Sequence, residues 1–125
     1  MSTPTRVVLI GHCGPDVFML RNAVTRAVPE ADVVAVDDEH TLGQHESPHC
    51  VWLVNRVLDG GFSIDSGIEL IRRTTGRNGN DPRCLLISNH RDAQEQAVAA
   101  GARPGFGKSE LFDERTLELL RQTVA

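Results

Sequence analysis

The sequence predicts an α/β domain in which a five-stranded parallel sheet is covered by helices on both faces. Three observations carry that expectation. Short apolar runs such as RVVLI, CVWLVN and CLLIS recur along the chain, and continuous rather than alternating hydrophobicity marks parallel strands buried on both sides. Between the runs, apolar residues return at three- and four-residue spacing, the period of an amphipathic helix. The 125 residues suit one core, since single domains typically hold about 100–200 residues.

The elements follow in order. A short polar tail, 1–5, leads into the first strand, 6–10. Gly14-Pro15-Asp16 opens a helix, with proline suited to the first turn and aspartate to the positive end of the dipole. Val17, Leu20, Val24 and Val28 form its apolar face, and Pro29 stops it. The second strand is 32–36, and Asp37-Asp38 can cap a short helix beginning near Glu39. Ser47-Pro48 breaks the chain before the third strand, 50–55. A long loop, 56–65, holds Gly60-Gly61 and Phe62, and the next helix carries Ile64, Ile68 and Ile71 on one face and ends near Gly76. The Asn- and Gly-rich stretch 77–82 reads as a surface loop. The remaining elements are a strand at 84–88, a helix at 92–100, a strand at 105–107 and a last helix capped by Asp113, with Leu117, Leu120 and Val124 facing inward.

Right-handed crossovers reduce the topologies to the flavodoxin-like, doubly wound order 2-1-3-4-5 in a single domain, 1–125. Ligands of such sheets bind beyond the carboxyl ends of the strands. Chemistry is therefore expected just after strands one, three, four and five.

Composition excludes several functions. The net charge is −4 with 13 Lys and Arg scattered along the chain, whereas a nucleic-acid binder needs clustered cations. The one local group, Arg72, Arg73 and Arg77, reads as a solvated helix end. No apolar run approaches the roughly 20 residues of a membrane span. Cys13, Cys50 and Cys84 make an odd, widely spaced set, and no signal peptide precedes them, so a reduced cytoplasmic protein is expected. Cys50 and Cys84 read as small core residues.

The stretch DAQEQAVAAGARPGFGK, 92–108, read with Asn55, resembles the last third of a response-regulator receiver domain, and the resemblance extends over nearly the whole chain. In that family the strand ends carry an acidic pair, a phosphorylated aspartate, a Ser or Thr, and a lysine. Three carboxylates there hold Mg²⁺, and the metal and lysine neutralise the phosphoryl oxygens. The resemblance places Gly11 and His12 at the acidic pair, Asn55 at the nucleophile, Ser88 at the hydroxyl and Lys108 at the lysine. Gly105 stands where an aromatic switch residue is usual, with Phe106 displaced by one. Ser109 follows Lys108 in place of the common proline, and the loop before the matching Gly67 is longer than usual.

An amide is too poor a nucleophile to attack a phosphoryl donor, and Mg²⁺ prefers charged oxygens that these positions lack. The expectation is a pseudo-receiver of two-component or phosphorelay signalling: not an enzyme, without cofactor or metal, acting by protein–protein interaction. The partner would be an unidentified signalling protein or a second copy of the chain. In the family, partners dock on the face of the fourth helix, fifth strand and fifth helix, or on the first helix. The side-chain oxygen of Asn55 is the expected partner of Lys108.

Alternatives come from other residues. Asp37 or Asp59 could accept phosphate at a non-standard position. Residues 102–109 fit a relaxed nucleotide-binding P-loop ending in Lys108-Ser109, although only sixteen residues follow. His40, His45, His49 and Cys50, with His12-Cys13 and His90, could hold a metal; solvated loop histidines are the plainer expectation. Phe62, in a loop whose glycines make ordering costly, is expected either to bind a partner in a loop that orders on contact or to cover the core.

Overall fold

A computed structural model describes residues 5–76 and 81–125; most of the tail 1–5, Arg77 and most of the loop 77–82 lie outside the described residues. The chain forms β1 (Arg6–Ile10), α1 (Gly14–Ala27), β2 (Asp32–Val36), α2 (Glu39–Leu42), β3 (Cys50–Asn55), α3 (Gly67–Thr74), β4 (Arg83–Ile87), α4 (Arg91–Ala99), β5 (Arg103–Phe106) and α5 (Glu114–Val124). One parallel sheet has the order β2-β1-β3-β4-β5, as expected.

The sheet divides its side chains by the two-residue period of a strand. Val7 and Leu9 of β1, Val51 and Leu53 of β3, and Leu85 and Ile87 of β4 face α1 and α5, packing with Leu20, Val24, Leu117 and Leu120. Val8, Ile10, Trp52, Val54, Cys84 and Leu86 face the other way, with Leu42, Ile71, Ala93 and Ala97. The single tryptophan is fully buried and its indole N–H donates to the His45 carbonyl at 3.1 Å. Cys50 and Cys84 are core residues, and burial pushes both thiols up, that of Cys84 to about 12. Among the described residues, no helix is long and apolar enough to cross a membrane.

Local chemistry sets the boundaries. Asp38 caps α2 by accepting from the Thr41 N–H at 2.7 Å. Ser66 caps α3 by accepting from Glu69 N–H at 3.2 Å, so α3 starts after Ile64, which packs on the core from the loop instead. Asp113 is the N-cap residue of α5 without a side-chain cap bond. β4 and α4 each lie one residue earlier than expected. β5 begins at Arg103 because Pro104, which has no N–H to donate, is tolerated on an edge strand.

Candidate functional site

The carboxyl ends of β1, β3, β4 and β5 bring Gly11, His12, Asn55, Ser88 and Lys108 to one end of the sheet. Most of their side chains are engaged within the chain. The Asn55 carboxamide donates from Nδ2 to the carbonyl oxygens of Gly11 at 2.9 Å and Val57 at 2.8 Å. Because both partners are acceptors, the side chain must present its NH₂ there. Lys108 Nζ is ion-paired with the carboxylate of Asp16, on the first turn of α1. The expected pairing of Lys108 with the Asn55 oxygen is therefore corrected: a charged carboxylate is a stronger acceptor for the ammonium group than a neutral amide oxygen. The contact with Lys108 holds the Asp16 carboxyl below the usual carboxylate range.

Gly11 follows β1 directly, with φ of 72°. Its N–H donates to Val36 O, and its carbonyl accepts from both Asn55 Nδ2 and Asp59 N–H. Leu58 is pressed against it: a Cβ at position 11 would sit 2.7 Å from Leu58 Cδ2 and 3.0 Å from Leu58 Cα. Leu58 is only 7 % exposed and joins the core with Ile10 and Val36. An apolar side chain thus packs against the position that the resemblance assigns to the acidic pair.

His12, expected on a solvated loop, is 7 % exposed. Its Nε2 lies 2.8 Å from Leu53 O, so Nε2 carries the proton and donates, while buried Nδ1 has no partner. Burial pushes its pKa down to about 4, with Lys108 nearby lowering it further and the Leu53 bond and Asp16 opposing. The ring is a neutral structural group. Ser88 is buried, and its Oγ accepts from the His90 N–H at 3.1 Å.

A cavity of about 290 Å³ remains beside Lys108, lined by Asn55, Ser88, Asn89 and His90 among others, with no carboxylate in its wall. The residues do not fit Mg²⁺, which needs several charged oxygens: Asp16 is engaged by Lys108, Leu58 closes the approach at Gly11, and no group of three metal-binding side chains occurs among the described residues. That finding also covers the histidines and cysteines. His40 and His49 are exposed, His45 turns toward Arg6, and Cys50 is buried.

The stretch 102–109 is not a phosphate-cradling loop. It is β5 followed by a 3₁₀ turn, Lys108–Glu110. The Gly105 and Gly107 amides are already bonded, to Gln94 Oε1 and Glu110 Oε1. Position 105 has no room for an aromatic switch, because any Cβ would overlap the Leu86 carbonyl oxygen. Phe106 is instead buried against Leu111 and Leu117.

The 56–65 loop is anchored rather than free. Gly61 N–H donates to Asp37 O at 2.6 Å, Leu58 N–H to Asp65 O at 2.8 Å, and Ser63 donates to the Glu39 carboxylate. Half-buried Phe62 packs against the core beside α2. Asp37 and Asp59 are exposed, and their main chains take part in this anchoring. Asp16 and Leu58 are the site residues that the sequence did not point to. The only signal for Asp16 was an acid one turn into α1, four residues beyond His12.

No protein-family model matches the sequence, and no curated protein does. Solved structures do resemble it. The receiver domain of a response regulator from Bermanella marisrubri superposes with a TM-score of 0.74 at 18% identity, over 98% of this chain and 100% of that one. The signal receiver domain of a DNA-binding response regulator (merR) from Colwellia psychrerythraea 34H gives 0.71 at 16%, over 95% and 97%. A response regulator from Thermotoga maritima gives 0.71 at 16%, over 98% of each chain. The fold is that of response-regulator receiver domains.

Proposed function

We propose that this chain is a cytoplasmic, receiver-like signalling module that takes no phosphoryl group and works by binding a protein partner within a two-component or phosphorelay system. The observation that carries the reading is the Asn55 carboxamide spanning Gly11 O and Val57 O. It replaces a nucleophile with a donor that closes the β3 end onto β1 and the following loop. The Lys108–Asp16 pair supports it, since the lysine that would neutralise a phosphoryl group is already neutralised from within the chain. The absence of a fit for Mg²⁺ removes the electrophilic assistance that phosphoryl transfer requires. With no reacting group left, the module has no catalytic turnover. A net charge of −4 disfavours nucleic acid as the partner, and three free thiols suit a reducing compartment.

The test is intact-mass analysis after incubation with acetyl phosphate and Mg²⁺. No mass gain is expected for the wild type, nor for Asn55→Asp, which still lacks the metal ligands. A phosphoryl adduct on the wild type that vanishes in Asp59→Asn or Asp37→Asn would replace this reading with phosphorylation at a non-standard aspartate.

A further inference from the structure

The β4–β5 edge holds two side-chain amides in unusual positions. Gln94, one turn into α4, reaches back to the sheet. Its Nε2 lies 2.9 Å from Leu86 O, 3.1 Å from Ser88 O and 3.3 Å from Phe106 O, and its Oε1 accepts from Gly105 N–H at 3.2 Å. Two N–H bonds are shared among three carbonyls, so both donors of the carboxamide are used. It sits where the β4–β5 register shifts between Leu85 and Ile87, so the side chain bonds backbone groups of both strands at the break. The gap exists because residue 105 is glycine: a Cβ there would overlap Leu86 O and stand 2.9 Å from Gln94 Oε1.

Two residues further on, the arrangement repeats. Asn89, in the β4–α4 connection, accepts through Oδ1 from Ser109 N–H at 3.1 Å and Ser109 Oγ–H at 2.9 Å. Its side chain lies against Gly107, where any Cβ would overlap Oδ1. Ser88 N–H adds a bond to Phe106 O at 3.0 Å. Gly105 and Gly107 are thus ports, each filled by an amide arriving from the β4–α4 side.

We propose that Gln94 and Asn89 are a double amide latch that fixes α4, the β4–α4 connection and the turn after β5 in one arrangement. The α4–β5–α5 face is then presented ready-made, with no switching step. This rests on the reading of the chain as a receiver-like module that signals without phosphate. A module that is never phosphorylated has no input at this site to move α4, and the latch makes the resting shape the working shape. The conformational entropy that a mobile face would lose on ordering against a partner is not lost here.

The experiment is amide hydrogen exchange and relaxation-dispersion NMR on the full chain. In the wild type, Gly105 and Ser109 amides are expected to be protected well beyond unstructured amides, with no microsecond-to-millisecond exchange over 88–110. Gln94→Leu, which keeps bulk without hydrogen bonds, should speed exchange at Gly105 about tenfold or more, and Asn89→Ala should do the same at Ser109. Protection in β1 and β3 should stay unchanged. Gln94→Glu sets a charged carboxylate against three carbonyl oxygens, so α4 should loosen at pH 7 and tighten as that group protonates, a response that simple packing would not give. Millisecond exchange across 88–110 in the wild type, or unchanged protection in Gln94→Leu and Asn89→Ala, overturns the latch. The two proposals fail separately: a mobile wild-type edge without acetyl phosphate labelling removes only the latch, and labelling with a rigid edge removes only the phosphate-independent reading.

Discussion

Asn55→Asp is the sharpest perturbation of this site, because it exchanges an NH₂ group for an oxygen of nearly the same size. The wild-type Nδ2 donates to two carbonyl oxygens at 2.9 and 2.8 Å. A net hydrogen bond contributes about 0.5–1.5 kcal/mol, so the two lost bonds amount to about 1–3 kcal/mol. The carboxylate then faces two carbonyl oxygens across the same distances, which favours its neutral form. Its folded pKa therefore rises above the unfolded value of about 3.9. The sign follows from linkage: a raised carboxyl binds more protons when folded, so the mutant's deficit is smallest at low pH and grows as pH rises through the folded pKa. Lys108 offers limited relief, since it is held by Asp16. Urea denaturation of wild type and mutant at pH 7 and pH 5, with linear extrapolation, should give a deficit of about 2–3 kcal/mol at pH 7 and a smaller one at pH 5. A mutant as stable as wild type at pH 7 would refute the donor role of Asn55.

Three further outcomes are expected. His12→Gln, which keeps a donor for Leu53 O, should flatten the acid limb of the stability profile: a neutral buried His12 with a pKa of about 4 against an ordinary 6.5 contributes stability at neutral pH that is lost as pH falls from about 6.5 to 4. At about 1.4 kcal/mol per pH unit that loss comes to roughly 3–4 kcal/mol, measurable by denaturation at a series of pH values. Asp16→Asn should cost about 1 kcal/mol or less, because the pair is partly exposed, and the cost should shrink in high salt. Phe62→Ala should lower stability by roughly 2 kcal/mol, below the 3–5 kcal/mol of a fully buried phenylalanine, since the ring is half-buried on the core beside α2; an unchanged melting temperature would favour the ring as a partner contact.

The strands were legible because burial on both faces writes a continuous apolar run, and β1, β2 and β3 fall where those runs lie. Capping was legible at Asp38, whose side chain bonds as its type predicts. Less legible was α3, where Ile64 keeps the helical spacing but Ser66 sets the start. Nor was β5, since Arg103-Pro104 reads as a turn until an edge strand accepts it. At the site, the sequence already put Asn55, Gly11 and His12 together at one end of the sheet, where the structure has them. Their partners could not be read from it. Asp16 resembled an ordinary helix-dipole residue, and only the meeting of the turn after β5 with the first turn of α1 gives it to Lys108. His12 looked solvated because its burial depends on residues far away in sequence, Leu53 among them. The Gly60-Gly61 loop looked mobile, yet its bonds run to Asp37, Glu39 and Gly11.

These departures depend on one another. Gly11 at φ of 72° leaves room for Leu58, and a side chain there would be strained by the backbone and crowded by Leu58. Leu58 in its pocket holds Asp59 N–H on Gly11 O, with Val57 O beside it on the preceding residue. Asn55 bonds both carbonyls, so it is the donor that this loop position requires. Asp16 then supplies the negative charge that Lys108 would otherwise lack. A carboxylate introduced at 55 would meet carbonyls, one introduced at 11 would meet Leu58, and Asp16 is already paired with Lys108. On the proposed reading, no single substitution is expected to give phosphoryl chemistry at this end of the sheet, because Asn55, Gly11, Leu58, Asp16 and Lys108 form a connected set of contacts.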